Sequence, residues 1–235
     1  MPTPQTLTAD LRAVHPGPRP DRVSSITRPG AGWTVILPLK GGPTAKSRLG
    51  APPLLATAIA LDCLDAVLAA DEVVSVVVVT PDPHLAALAT TAGAEVRPEA
   101  TPGAGLLAAV RDGLTGIGGA CAVLLADLPA LRSVDLSTAL VRAGERLAQV
   151  PPPPMVFVPD AEGTGTVLLT ALTADAMRPE FGADSAAAHQ AAGAVRLDLD
   201  LPRLRRDVDT PADLQTAVEL GVGPRTRSVL AEIAV

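Results

Sequence analysis

The sequence predicts one α/β domain built on a mostly parallel central sheet with helices on both faces. Two observations carry that expectation. Short β-branched apolar runs, VVSVVVVT at 73–80 foremost, alternate along the chain with Ala- and Leu-rich segments of helical spacing. Apolar residues make up 48% of the 235 positions, yet only Trp33, Phe157 and Phe181 are aromatic, so the core must be Val, Leu and Ala. That composition suits strands buried on both faces under Ala-rich helices.

Residues 1–31 are rich in Pro, Thr and Arg without a sustained period. They are expected to form a disordered N-terminal extension, leaving 32–235 as the folded domain. WTVILPL at 33–39 reads as the first strand, and 53–70 has helical spacing of Leu, Ile and Val. VVSVVVVT is too short for a membrane helix and too β-branched for a good soluble one. PDPHLAALATTAG reads as a turn, a short helix and a stop at Gly93. A weak strand near 94–97, a helix near 104–115, a strand at 121–126 and a helix at 135–149 follow. PPPP at 151–154 is a stiff connector. MVFVPD at 155–160 and TVLLT at 166–170 read as two strands around the loop AEGTG, and apolar surface on this pair is the candidate homodimer face. The helix from 211 has good start chemistry, with Thr210 as N-cap, Pro211 in the first turn and Asp213 behind it. There is no internal repeat. In such a sheet, ligands belong at the C-terminal ends of the strands.

Composition also excludes. A net charge of −6 argues against broad nucleic-acid backbone binding, and three aromatics argue against base stacking. Cys63 and Cys121 are too few for a disulfide framework or a zinc site and are expected in the core. No apolar run reaches the length of a membrane span, and the N-terminus lacks a signal-peptide stretch, so a cytoplasmic protein is expected.

The chemistry concentrates at strand ends. LPLKGGPTAKSRLG at 37–50 joins Gly41 and Gly42 to Lys40, Lys46 and Arg48. Glycine amides and cations suit a triphosphate and its leaving pyrophosphate, although a solvated basic turn looks the same and the P-loop spacing is absent. VLLADLPAL at 123–131 ends a buried strand in Asp127. A carboxylate there is costly unless paired or bound to a cation, and Ser133 or Asp135 is better placed to start the next helix. RRDVDTPADL at 205–214 puts Asp207 and Asp209 two apart, on one face of an extended segment. One or two such carboxylates are what Mg²⁺ takes beside phosphate oxygens. The competing account of this segment is a capped helix with its acids paired to Arg205 and Arg206. GTGT at 163–166 and FGADS at 181–185 offer hydroxyls and close backbone approach, with Ser185 opening an Ala-rich helix. His189, one turn on, reads as a helix-surface residue.

Taken in order, these motifs resemble the guanylyltransferases of coenzyme F420 biosynthesis, which act on 2-phospho-L-lactate or phosphoenolpyruvate. The resemblance rests on K-x5-K-x-R-L, L-x-D-L-P-x-L, GTGT with a following L-L, FG-x-D-S with a later His, and D-V-D-T-P-x-D-L, from Trp33 to Gly223. It implies a Rossmann-like nucleotidyltransferase fold, GTP and Mg²⁺ as partners of the reaction, and a three-carbon phosphorylated acid as acceptor. It implies Asp127 and Asp207 as metal ligands, with Asp207 preferred to Asp209. It further implies Thr166, Gly182 and Ser185 as acceptor contacts and Lys40, Gly41, Gly42, Lys46 and Arg48 as the nucleotide-phosphate loop. Lys46, Arg48 and Asp127 would then be the catalytic set. The chain departs from the pattern in its N-terminal extension, its Pro run and AEGTGT, where relatives often carry a bulkier residue.

The Ala-, Arg- and Pro-rich composition suggests a high-GC genome, and for such a source phosphoenolpyruvate is the expected acceptor over 2-phospho-L-lactate and 3-phosphoglycerate. A downstream transferase would consume the product. The other enzyme classes weighed are a molybdenum-cofactor or sugar nucleotidyltransferase, whose L-x-G-G-x-S-x-R-M-G loop Lys40 interrupts, and a glycosyltransferase using DVD as D-x-D. A non-catalytic nucleotide-binding protein is the alternative from outside enzymes.

Overall fold

Strand β2 (Val73–Val79) is the VVSVVVV run, and it lies second from one edge of a seven-stranded sheet of order β3-β2-β1-β4-β6-β5-β7. The computed structural model describes residues 32–39 and 52–233. The expected N-terminal extension therefore lies outside the described residues. Strand β1 (Trp33–Pro38) pairs in parallel with β2 and with β4 (Cys121–Leu124), and β3 (Glu95–Arg97) pairs in parallel with β2. Strand β6 (Thr166–Ala171) is antiparallel to both β4 and β5 (Val156–Pro159). The short β7 (Val195–Arg196) closes the other edge, parallel to β5. Six strands thus run one way and β6 runs against them.

Side chains alternate across the sheet. Val35, Leu37, Val76, Val78 and Leu124 face helices α1 (Pro53–Leu68), α2 (Pro83–Ala92) and α4 (Ser133–Leu147). Ile36, Val77, Val79, Val123 and Phe157 face α3 (Leu106–Leu114) and α5 (Ser185–Ala191). The expected two-faced architecture is present. Cys63 and Cys121 are buried free thiols, and burial pushes Cys121 up to about 11.

Several expectations needed correction. Strand β4 stops at Leu124, and α4 already starts at Ser133, with Arg132 in the N-cap position and no side-chain cap, so Ser133 caps nothing. Strands β5 and β6 are fully buried between their neighbours, so the apolar surface expected on that pair for a homodimer is interior. Four elements were not foreseen: the 3₁₀ turn Ala174–Ala176, β7, the single turn α6 (Pro202–Arg205) and α8 (Pro224–Ile233).

Helix α8 docks on α1 through one carboxylate. Asp62, 6% exposed, accepts the backbone N–H of Arg225 at 3.1 Å and of Thr226 at 2.8 Å. These are N-terminal donors of α8 with no partner inside the helix. The Arg225 guanidinium pairs with Asp65. Burial pushes the Asp62 carboxyl above its ordinary range, although both N–H donors pull it down. A Cβ on Gly223 would overlap the Asp62 carboxyl, which is why glycine precedes α8. The docking encloses a satellite core in which Leu55, Ala58 and Ile59 of α1 meet Val222, Val229 and Val208.

Candidate active site

Val208 links that satellite core to the sheet. Its side chain is fully buried, and its N–H donates to the Asp127 carbonyl at 3.1 Å. Asp127 lies just beyond β4, at the end of the sheet where the parallel strands finish. The bond pins the Asp207–Asp209 segment against the chain at Asp127. The segment continues into α7 (Pro211–Leu220), whose start is a capping box: Thr210 accepts from the Asp213 N–H, and the Asp213 carboxylate accepts from the Thr210 N–H at 2.8 Å. Burial pushes the Asp213 carboxyl up, but the hydroxyl and N–H of Thr210, the Asp209 N–H and the Arg206 charge together hold it below the ordinary carboxylate range.

Asp207 is half-buried. Burial first, then the nearby charges of Asp127, Asp160 and Asp209, push its carboxyl up to about 7. Crowded carboxylates of this kind are electrostatically costly alone and favourable around a cation. Asp160, at the end of β5, comes from the turn that leads into β6. Its carboxylate accepts the N–H of Thr164 at 3.0 Å and of Gly165 at 2.7 Å, which folds residues 160–165 into a tight loop. A Cβ on Gly165 would overlap Asp160 Oδ2. Arg205 clamps the same turn from the other side, donating to the Asp160 carbonyl at 2.8 Å and the Pro159 carbonyl at 3.2 Å. Oxygens of Asp160, Glu162 and Asp207 lie within 4.8 Å of one another. This all-oxygen donor set suits a hard divalent cation. Glu162 also pairs with Arg206 at 2.6 Å, which offsets part of its charge.

The reversed strand supplies the neutral side of the site. Leu125 N–H bonds the Val167 carbonyl at 3.0 Å, so Thr166 begins β6 beside the chain that leads to Asp127. The Ala186 N–H bonds the Thr164 carbonyl at 3.0 Å and brings the start of α5, with Ser185, to the same place. Thr166 and Ser185 are each 2% exposed. His189 is fully buried, so the helix-surface reading of it was wrong. Its Nδ1 lies 2.9 Å from Thr166 Oγ1, and its Nε2 lies 2.9 Å from the Glu180 N–H. Burial pushes the imidazole down to about 4, against a smaller upward pull from the Ser185 carbonyl.

Sequence comparison decides the family. A phosphoenolpyruvate guanylyltransferase from Salinispora arenicola is 50% identical over 201 residues, covering 83% of this chain and 91% of the relative. The chain belongs to the phosphoenolpyruvate guanylyltransferase family. Members from Geodermatophilus obscurus and Streptomyces coelicolor are 45% and 42% identical, covering 84% and 86% of this chain and 94% and 98% of those proteins. No family model matches the chain. Solved nucleotidyltransferases share the fold. One from Methanothermobacter thermautotroptrophicus gives a TM-score of 0.57 at 18% identity, covering 81% of this chain and 98% of that one. CMP:2-keto-3-deoxy-manno-octonic acid synthetase, solved with CTP, gives 0.52 at 12% identity, covering 80% and 98%.

For a member of this family, the sequence-derived residues divide clearly. Asp127 and Asp207 come together, and Asp209 is exposed. Thr166 and Ser185 reach the same end of the sheet, and exposed Gly182 lies in the turn that leads to Ser185. Lys40, Gly41, Gly42, Lys46 and Arg48 lie outside the described residues. Arg205 and Arg206 serve the 160–165 turn, Glu162 and Asp213. Sequence reasoning missed Asp160, Glu162 and the burial of His189. Asp160 carried the same signal as Asp127, an acid at the end of a buried apolar run; Glu162 carried none. Among the described residues, no helix is long and apolar enough to cross a membrane.

Proposed function

We propose that this chain transfers GMP from GTP to phosphoenolpyruvate, giving enolpyruvyl-diphospho-5′-guanosine and pyrophosphate, in coenzyme F420 biosynthesis. The observation that carries the reading is the bond from Val208 N–H to the Asp127 carbonyl, which sets two chemistry-bearing acids side by side at the ligand end of the sheet. The names of the relatives support the choice of acceptor and nucleotide.

The acceptor's phosphate oxygen attacks the α-phosphorus in line, and pyrophosphate leaves. A phosphate is already an anionic nucleophile, so no general base is needed. Asp127 and Asp207 are the proposed ligands of Mg²⁺, with Asp160 beside them. When bound, the ion supplies charge neutralisation at the reacting phosphates. Asp160 braces the turn before β6; burial first, then the charges of Asp127 and Asp160, raise the Asp207 carboxyl, a crowding that a bound cation would relieve. Thr166, Gly182 and Ser185 hold the acceptor, and Lys40, Gly41, Gly42, Lys46 and Arg48 hold the nucleotide phosphates. Orientation and electrostatics then provide the catalysis. The product carries a reactive phosphoanhydride, so a transferase that consumes it is the proposed partner in the cytoplasm.

The test is pyrophosphate release with Mg²⁺, using GTP, ATP or CTP against phosphoenolpyruvate, 2-phospho-L-lactate and 3-phosphoglycerate. Release is expected with GTP and phosphoenolpyruvate. Asp127→Asn and Asp207→Asn should each lose about a hundredfold or more in kcat while keeping the fold. Near-normal turnover by either variant overturns that ligand assignment, and release with only another acid overturns the acceptor.

A further inference from the structure

We propose that His189 is a positioning residue that fixes the Thr166 hydroxyl as a hydrogen-bond donor toward an anionic oxygen of the acceptor. The proposal rests on the reading of Thr166 as an acceptor contact and adds to it the group that sets its polarity.

The argument is one of donors and acceptors. The Glu180 backbone N–H can only donate, and it lies 2.9 Å from Nε2. Nε2 must therefore present its lone pair. A neutral imidazole with a free lone pair on Nε2 carries its proton on Nδ1. Nδ1 lies 2.9 Å from Thr166 Oγ1, so the ring donates and the hydroxyl accepts. The threonine proton is thereby turned away from the ring. A hydroxyl that already accepts one hydrogen bond is a better donor in the next. Its proton suits a carboxylate or phosphate oxygen, and no partner on the ring competes for it.

The ring has little freedom to do otherwise. Phe181 meets it edge-on with centroids 5.1 Å apart, and Phe157 lies 5.9 Å away at a tilt of 40°. These are the chain's only two phenylalanines. Packed aromatic contacts fix the ring plane, and the bond from Glu180 fixes which nitrogen faces Thr166.

The test separates the two nitrogens. The side-chain amide of asparagine reaches the position of Nδ1 and can donate to Thr166. That of glutamine reaches the position of Nε2 and satisfies Glu180 alone. His189→Gln should raise the KM for phosphoenolpyruvate about tenfold, the value of one hydrogen bond. Its KM for GTP should stay within about twofold. His189→Asn should return the acceptor KM to within about threefold of the parent. In a Thr166→Val background, His189→Gln should add nothing further. Equal losses in the Asn and Gln variants, or parallel rises in both KM values, would mean a purely structural role and overturn the proposal. Thr166→Val itself separates the two readings. If it leaves the acceptor KM unchanged, the assignment of Thr166 falls and the proposal with it. If it raises that KM while His189→Gln does not, the proposal alone falls. A ¹⁵N spectrum of the unaltered protein gives a check that requires no variant to fold. A protonated Nε2 at neutral pH overturns the assignment; a protonated Nδ1 upholds it.

Discussion

Acidification should destabilise this fold through His189, independently of any ligand. In the unfolded chain the imidazole titrates near its ordinary value of 6.5, whereas burial holds the folded group at about 4. The sign follows from proton counting. Between those values the unfolded state binds the proton and the folded state does not, so stability is full above about pH 6.5 and falls as pH drops toward about 4. At about 1.4 kcal/mol per unit, the loss across the window is about 3 kcal/mol. That is a large share of the roughly 5–15 kcal/mol that holds a domain together. The groups around the ring are Thr166, the Glu180 amide, the Ser185 carbonyl, Phe157 and Phe181. No charged side chain is among these contacts to hold the imidazolium. The assay is urea unfolding from about pH 7.5 down to about pH 4, followed by far-UV circular dichroism and by the fluorescence of Trp33, which is 7% exposed. Carboxylates also titrate in the lower part of this range, so the reference is His189→Asn, which has no proton to gain. The difference between the two curves should be flat above pH 7 and shrink by about 3 kcal/mol toward pH 4. Parallel curves would refute the reasoning, because they would mean that the folded protein accommodates the imidazolium.

Two further substitutions test how the acid cluster is supported. Asp62→Ala strands the N–H groups of Arg225 and Thr226 and should cost about 3 kcal/mol. Loosening α8 should also weaken the packing on Val208, so half-saturating Mg²⁺ in the pyrophosphate assay should rise. A loss below about 1 kcal/mol by urea unfolding would show that α8 holds without this carboxylate. Gly165→Ala drives a methyl into Asp160 Oδ2 and should break the 160–165 loop at a cost of about 1–3 kcal/mol. Unchanged stability and Mg²⁺ dependence in that variant would remove Asp160 from the support of the site.

The sheet was legible because its strands are local statements: Val73–Val79 and Cys121–Leu124 declare themselves by branched, apolar side chains. The place of Asp127 just beyond a buried strand was legible from the same run, where an acid has no cheap place to go unless paired. What was not legible depends on partners remote in sequence. SAAAH carries no amphipathic pattern, and His189 is buried only because Thr166, Phe157 and Phe181 close over it. Asp62 reads as a surface charge on α1 until α8 brings two amides to it from the far end of the chain. Strand β7 has two residues, too few to show a period. Asp160 was legible too, since VFVPD repeats the pattern of VLLAD.

The reversal of β6 has a consequence for how the enzyme can diversify. Residues 160–189 leave the ligand edge along β6, travel to the opposite rim and come back to open α5 beside Thr164. One continuous excursion therefore supplies Thr166, Gly182, Ser185 and His189, while Asp127 and Asp207 come from chain on either side of it. Substitutions from Thr166 onward can reshape the proposed acceptor pocket and leave Asp127, Asp160 and Asp207 in place. On the proposed assignment, such a chain would exchange one small acid for another by editing the single stretch 166–189, apart from the acids proposed for the metal.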